Sequence, residues 1–551
     1  MQSTHVAILG VDVGGTFTDA VLLDGATVRT AKVPTAERQE ESVLEAARAV
    51  GAEHVERFAH GTTVATNALL ERRGARTAFV SNAGFEHLLH LRRQTRAHLY
   101  RLCDRHPQPL VPLERSHGVR GRIGPDGELE ALDLATLPDV GDVEAVAVCL
   151  LFAFRDPSHE RAVANELRSR HPGVHVVASH EIAPEFREYE RASTTAADAY
   201  LAPVVGRYLR ALAAAAHEAG LAKPLVMLSS GGVASVDEAA AHPATILVSG
   251  PAGGVVGAGL VARRAAFENA IAFDMGGTST DVCLLPGGRA ARVAERVVGG
   301  FPVRLPTVDL HTVGAGGGAT VTDANLLLGR LPSELPGGLV LDREAAERAF
   351  DGIDPAAVID VVNAEMLRAV RVVSVERGHD PREFALVAFG GAGPLHACAL
   401  AEELDIEAVL VPEAAGVLSA LGLVAGDERR DHVVSYVQPL TEVRDLPGDG
   451  EADLRYRGQS FELTVPLGAD LAGAFHAAHE ERYGYSDPER EIELVAVRTA
   501  DVVPGPDVTL RATDRYTVSG PDLVELAGAT CWVPEGWSGE TNGDGTLVLT
   551  R

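Results

Sequence analysis

Residues 12–19 read Asp-Val-Gly-Gly-Thr-Phe-Thr-Asp, and residues 274–281 read Asp-Met-Gly-Gly-Thr-Ser-Thr-Asp. Six of the eight positions are identical. Each copy follows an apolar run, at 6–11 and 270–273, and precedes another, at 20–23 and 282–285. The pattern predicts strand, tight turn, strand in both places. A tight turn alone does not demand an aspartate on each side and two hydroxyls at matched offsets. A clamp on a polyphosphate does. Glycines permit backbone angles that bring consecutive N–H groups onto one anion. Gly14, Gly15, Gly276 and Gly277 are therefore candidate phosphate contacts, with the hydroxyls of Thr16, Thr18, Thr278 and Thr280 beside them. Asp12 and Asp274 can hold Mg²⁺ through water, because Mg²⁺ prefers carboxylates, waters and phosphates.

The turns are not P-loops. No Gly-x-x-x-x-Gly-Lys-[Ser/Thr] occurs, and Lys32 and Lys223 are the only lysines in the chain. A third glycine segment, Gly390-Gly-Ala-Gly-Pro394, follows an apolar strand and opens a helix. Gly390, Gly391 and Gly393 are candidate adenosine contacts, since a ligand can approach closely at such a turn.

A chain of 551 residues predicts more than one domain. Its 77 acidic against 49 basic residues argue against nucleic acid or an anionic membrane as partner. The five cysteines are scattered and never in Cys-x-x-Cys spacing, which argues against a disulfide framework or a cysteine zinc site. No signal peptide is visible at the start, and the longest apolar run, 145–154, is too short to span a bilayer. The expected location is cytoplasmic.

Strands interleave with helices over the first 430 residues, which predicts an α/β class. Expected helices cover 40–50, 160–170, 188–220 and 343–377. Expected strands cover 77–81, 143–154, 174–178, 225–228, 246–248, 384–389 and 408–411. Residues 85–100 read as an amphipathic Arg/His-rich segment. After a linker near 448–451 the sequence alternates as a small, mainly β module.

The ordered motifs resemble the hydantoinase A / 5-oxoprolinase family, within the actin-like ATPase superfamily. The resemblance rests on both Gly-Gly-Thr blocks, His60-Gly-Thr-Thr-Val-Ala-Thr-Asn67, Glu188-Tyr-Glu-Arg-Ala-Ser-Thr-Thr195, Ser249-Gly-Pro-Ala-Gly-Gly254 and Gly390-Gly-Ala-Gly-Pro-Leu-His396. Arg457-Gly-Gln-Ser460 and Arg482-Tyr-Gly484 extend it. The resemblance implies two ribonuclease-H-like halves around ATP and Mg²⁺: residues 1–200, with a subdomain inserted at about 60–185, and residues 201–440. Residues 441–551 form the β-rich module. It implies an ATP-dependent hydrolase subunit acting on a cyclic amide, with a hydantoinase B-like partner subunit. A ketone-carboxylase subunit is the alternative, and a nucleotide-gated binding protein is a reading of another class. A homo-oligomer is left open. Asp12, Asp274, His60 and Thr278 are the candidate catalytic residues. The resemblance also implies two trimmed segments, one between Gly318 and Thr320 and one at 441–454.

Other constellations stand with two readings each. His60, beside a glycine and two hydroxyls, could orient a carbonyl or move a proton, or could be a structural histidine bonded to backbone. His87, His90, Arg92, Arg93 and Arg96 read first as a solvated helical face. Glu188, Glu190 and Arg191 read first as ion pairs holding the halves together. Asp198, Asp309 and His311 are open between structural and cleft roles.

Overall fold

The computed structural model describes residues 7–551 except 26, 102, 336–338 and 513. The leading six residues, where no signal peptide was visible, lie outside the described residues. Both doubled blocks fold as the alternation of apolar runs and turn requires. Ala7–Val13 and Phe17–Asp24 form an antiparallel hairpin with Asp12 opposite Asp19 and Val13 opposite Thr18. Ala270–Met275 and Thr280–Leu285 repeat it with Asp274 opposite Asp281 and Met275 opposite Thr280. On its other edge, each first strand takes a parallel partner. Arg57–Thr62 sets Gly61 beside Asp12, and Ala385–Phe389 sets Phe389 beside Asp274.

Each hairpin belongs to its own large mixed sheet. Among the described residues, the first sheet has ten strands and the second eight. A third, five-stranded sheet is built from Thr77–Asn82, Ser116–Gly124, Gly127–Asp133, Ala145–Val148 and His175–Ala178. Between the two large sheets run the helices Ser249–Arg264 and Leu418–Ala425. The first helix touches strands of both sheets, and the second packs on the Asp12 hairpin. The two helices cross where glycines replace side chains. A Cβ on Gly422 would overlap the Gly253 carbonyl oxygen and lie 2.7 Å from Gly257 N. The largest apolar core draws on both sheets and on these helices.

Residues 441–551 do not form one sheet. Glu451–Tyr456, Leu463–Pro466 and Ile492–Val503 extend the first large sheet. Thr517–Ser519, Ser538–Thr541 and Thr546–Thr550 extend the second. Only the hairpin Asp522–Leu526 and Ala529–Val533 pairs by itself. Alternation reveals strands but not which sheet edge they complete.

Three local expectations are corrected. The strand predicted over 143–154 stops at Val148. Beyond it, the side chains of Glu160 and Asn82 accept from the Leu150 and Leu151 amides at 2.7 and 2.8 Å, and Phe152 turns to positive φ. The segment 85–100 holds only one helical stretch, Leu88–Leu91, because Arg92 and Gln94 take left-handed backbone angles. Residues 246–248 are not a strand. The helix starts at Ser249, and its glycines serve helix contact rather than a turn. No helix among the described residues is long and apolar enough to cross a membrane.

Candidate active site

The two Gly-Gly-Thr turns close in the same way. Gly14 N donates to Phe17 O at 2.9 Å, and Gly276 N donates to Ser279 O at 3.0 Å. Gly15, Thr16, Gly277 and Thr278 are exposed at the tips. None of the four turn glycines lies in the left-handed region. The sequence argument from backbone permissiveness is therefore corrected. Glycine matters here for space: a Cβ on Gly15 or Gly277 would meet nothing within 4 Å, so both tips are open to a ligand.

The second threonines do something different from the first. Thr18 and Thr280 are buried. Thr18 Oγ1 pairs with Thr35 Oγ1 at 3.0 Å, and Thr280 Oγ1 donates to Ala315 O at 2.5 Å. Both hydroxyls brace the turns. Thr16 and Thr278 instead stand exposed at the tips.

The aspartates lie behind the tips in crowded settings. Asp12 Oδ1 is buried and accepts no hydrogen bond. A Cβ on Gly61 would collide with it, and one on Gly250 would stand 3.6 Å away. Asp274 has the same relation to Gly390, which takes φ +78° at the end of its strand. Burial, with Asp19 adding to it, raises Asp12 to about 7. Burial, with Asp281 and then Asp12 and Asp19 adding to it, raises Asp274 to about 8. The Asp12 and Asp19 charges contribute to the raised value of Asp274, so the two hairpins lie close enough to interact through charge. Among the described residues, no three His, Cys, Asp or Glu side chains gather as a metal cage. Two carboxylates, one with an orphaned oxygen, suit Mg²⁺ that keeps most of its waters.

The third glycine segment joins the second turn. Ala392 N donates to Met275 O at 3.0 Å, and Gly390 N to Ala415 O at 3.0 Å. Gly391 is exposed with nothing within 4 Å of a Cβ, while Gly393 is buried at the start of the helix Gly393–Glu403. Gly316 and Gly317 lie on the other side of the same turn. Gly317 N donates to Gly276 O at 2.8 Å, and a Cβ on Gly316 would stand 2.6 Å from Ser279 N.

His60 does not face the cleft. It is fully buried on its strand, with Nδ1 3.1 Å from Val11 O and Nε2 2.8 Å from the Tyr208 hydroxyl. A carbonyl only accepts, so Nδ1 carries the proton and Nε2 accepts from Tyr208. Neither nitrogen is left for a substrate, and the proton-transfer reading is corrected to a positioning one. Burial pushes His60 down to about 4, only partly offset by the Val11 bond. Its folded value lies below its unfolded 6.5, so its contribution to stability is full above pH 6.5 and is lost as pH falls towards 4. Relative to His60→Gln, wild-type thermal stability is expected to fall more steeply across that window, by up to about 3 kcal/mol. Parallel melting curves at pH 4.5 and 7 check this, and equal slopes would contradict it.

The remaining candidates are mostly structural. Arg93 holds Glu190 with two 2.7 Å bonds. Arg191 is buried and donates to the carbonyls of Glu185 and Leu150. Asp198 accepts from Ala244 N at 2.9 Å and pairs with His242. Asp309 pairs with Arg377. His90 bonds the Val111 carbonyl at 3.2 Å, while His87 occupies the position before the short helix without a side-chain capping bond. His311 lies on the strand beside Asp281 and Val282.

Comparison with known proteins agrees with this geometry. The description "Hydantoinase/oxoprolinase N-terminal region" matches residues 8–171, and "Hydantoinase/oxoprolinase" matches 191–320 and 318–432. The caprolactamase subunit alpha of Pseudomonas jessenii is 31% identical over 98% of this chain and 99% of its own. The chain belongs to the hydantoinase/oxoprolinase family. The crystal structure of the ATP-dependent caprolactamase from Pseudomonas jessenii superposes with a TM-score of 0.84 at 28% identity, covering 98% of this chain and 99% of that one. The 5-oxoprolinase 1 of Arabidopsis thaliana is 31% identical over 80% of this chain but only 44% of its own length. The acetophenone carboxylase gamma subunit of Aromatoleum aromaticum is 30% identical over 75% of this chain and 67% of its own.

The trimmed segment is visible in the family match itself. It breaks at 318–320, where Gly318 runs directly into the helix Ala319–Leu327. The caprolactamase alignment runs over 686 positions against 551 residues here, so that relative carries segments this hydantoinase/oxoprolinase chain lacks.

Sequence reasoning passed over one charged residue beside the first hairpin. Lys32 stands opposite Asp19 on the third strand of the first hairpin, with Nζ 2.5 Å from Asp19 Oδ1. Lysine was read only as an absence. Its rarity in an arginine-dominated chain, on the strand just after the motif, was the available signal.

Proposed function

We propose that this chain is the ATP-using subunit of an enzyme that opens a cyclic amide, with its two hairpins as the jaws of an actin-like nucleotide cleft between ribonuclease-H-like halves. The observation that carries the reading is the repeated hairpin: same register, same turn closure, open tips, and aspartates close enough to feel each other's charge. The loop at Gly390–Gly391 adjoins one jaw and would receive adenosine. Names of relatives, an ATP-dependent caprolactamase and a 5-oxoprolinase, supply the substrate class.

Asp12 and Asp274 would hold Mg²⁺ through water, which when bound neutralises phosphate charge and orients the γ-phosphoryl group. The exposed N–H groups and hydroxyls at Gly15–Thr16 and Gly277–Thr278 bind and orient phosphate oxygens. The amide oxygen takes the γ-phosphoryl group from ATP and ADP leaves. Water then adds to the activated carbon, the ring C–N bond breaks, and phosphate is released by hydrolysis. A resonance-stabilised amide resists water, which is why the ring opening is coupled to ATP. A hydantoinase B-like subunit would bear the amide-binding and hydrolytic surfaces.

The carboxylase relative favours a second reading, in which ATP activates bicarbonate or an enolate. ADP release decides between them. It is measured for this chain alone and with the B-type protein encoded beside it, against hydantoins, 5-oxoproline, caprolactam, and ketones with bicarbonate. Cyclic-amide-dependent ADP release is the expected result. Stimulation only by a ketone with bicarbonate would move the chain to the second reading. Nucleotide binding with no stimulation by any small molecule would sink both.

A further inference from the structure

The cleft gathers four carboxylates around the place where a polyanion would lie. Asp12 pairs across one hairpin with Asp19, and Asp274 pairs with Asp281 at the matching positions of the other. Among the cations near the hairpins, two stand beside the second aspartates of the motif. Arg296, beside Asp281, is fixed by bonds to Leu310 O at 2.8 Å and Thr312 Oγ1 at 3.2 Å. Lys32 is the other, and its side chain keeps 30% of its surface exposed.

Lys32 is placed to reach the tip of the first turn. Its strand runs antiparallel to the one that leaves the Gly14-Gly15-Thr16 turn, in the register Asp19 with Lys32 and Phe17 with Pro34. Three residues on, Thr35 is stitched to the turn. Its amide donates to Thr16 O at 2.9 Å and its hydroxyl to Gly14 O at 3.1 Å. The ammonium also lies 5.4 Å from the ring of Phe17, the half-exposed residue that follows Thr16.

The far side of the Lys32 stem is held by the C-terminal stretch. Gly528, the turn of the hairpin Asp522–Leu526 and Ala529–Val533, comes so close that a Cβ there would stand 3.2 Å from Lys32 Cε. The same turn is tied to the other jaw: Gly416 N donates to Ala527 O at 3.2 Å, next to Ala415, whose carbonyl receives Gly390 N. A collar of contacts therefore runs from the candidate adenosine loop to Lys32.

We propose that Lys32 is a γ-phosphate contact: its ammonium rests on Asp19 when the cleft is empty and transfers to the terminal phosphoryl group of a nucleoside triphosphate. This rests on the nucleotide reading above. The chemistry suits lysine over arginine. An ammonium is a compact charge on a flexible stem with three donors, able to leave one carboxylate for a phosphate a few ångströms away. Asp19 gives it a fixed starting point without consuming all its donors. A contact to the γ-phosphate distinguishes a triphosphate from a diphosphate, which a purely structural partner of Asp19 would not do.

The test compares the full chain with Lys32→Met, Lys32→Arg and Asp19→Asn, titrated with MgADP and with the non-hydrolysable β,γ-imido analogue of MgATP. Charge-assisted hydrogen bonds to phosphate predict that Lys32→Met weakens analogue binding roughly tenfold or more, with MgADP changed by less than about twofold. Lys32→Arg is expected to retain part of the preference. Asp19→Asn, which frees the ammonium, is expected to keep or raise it. A Lys32→Met protein that keeps the wild-type triphosphate preference, or loses both nucleotides equally, overturns the proposal. Should Lys32→Met not fold, the Asp19→Asn titration decides: a lost triphosphate preference there overturns it as well. Wild-type protein that binds neither nucleotide would instead overturn the nucleotide reading and this inference with it.

Discussion

Asp12→Asn and Asp274→Asn are each expected to lower MgATP turnover by at least about 10²–10³-fold, the scale seen when one preorganised electrostatic group is removed from a transition state. The same variants are expected to fold at least as stably as wild type at pH 8. The two outcomes have one cause. In the nucleotide-free protein, burial and neighbouring carboxylates raise Asp12 to about 7 and Asp274 to about 8, against an ordinary 3.8. Between pH 4 and those values the folded chain holds protons that the unfolded chain has released, so stability falls as pH rises through that window. Asparagine, nearly isosteric and uncharged, removes the penalty above pH 7 and changes little below pH 4. A gain of about 1–3 kcal/mol at pH 8 is the expected scale, after discounting for relaxation of the cleft. Steady-state ADP release and melting curves at pH 5 and 8 check both halves. Near-normal turnover in both variants would end the clamp model. A large loss of stability at pH 8 would mean that the carboxylates hold the fold rather than serve the cleft.

The two hairpins were legible in the sequence because the motif recurs at matched offsets between apolar runs. The structure adds the register, which sets Asp12 opposite Asp19 and Asp274 opposite Asp281. What the sequence could not separate was the work of its hydroxyls. Thr16 and Thr18 look equivalent in a string, but Thr18 lies within the strand Phe17–Asp24 and meets Thr35, while Thr16 lies outside it at the open tip. His60 misled for a related reason: glycine and hydroxyls beside a histidine resemble a proton-transfer site, while its Tyr208 partner lies in a helix far along the chain. Residues 441–551 hid their destination because alternation is the same in an edge strand of either sheet. Lys32 escaped because its meaning depends on Asp19 across the hairpin and on Gly528 from the far end of the chain.

Gly422→Val is expected to be the most damaging single substitution away from the aspartates. A Gly in a helix interior ordinarily gives up about 1 kcal/mol relative to Ala, so replacing it should help on propensity alone. Here the position faces backbone. A Cβ on Gly422 would overlap Gly253 O and approach Gly257 N at 2.7 Å, and neither atom can swing away as a side chain would. The helices Ser249–Arg264 and Leu418–Ala425 would have to separate, and that contact also supports the Asp12 strand, since a Cβ on Gly10 would strike the Ala420 carbonyl. Overpacking against rigid neighbours costs about 1–3 kcal/mol per inserted group and more where backbone must move. Gly422→Ala is therefore expected to destabilise by about 2 kcal/mol or more despite its better propensity, and Gly422→Val further, to the point of poor soluble yield. Gly206→Ala is the control. It lies inside the helix Glu188–Glu218, where the three atoms nearest a Cβ all belong to the far end of the Arg210 side chain, the first at 3.0 Å. That end can move, so the propensity gain should prevail and the melting temperature should hold or rise. Melting curves for the two alanine variants, side by side, carry the test. A Gly422→Ala protein as stable as Gly206→Ala would mean that the helix pair is not the rigid spine between the two hairpins. A destabilised Gly422→Ala that also loses MgADP affinity would tie that spine to the geometry of the cleft.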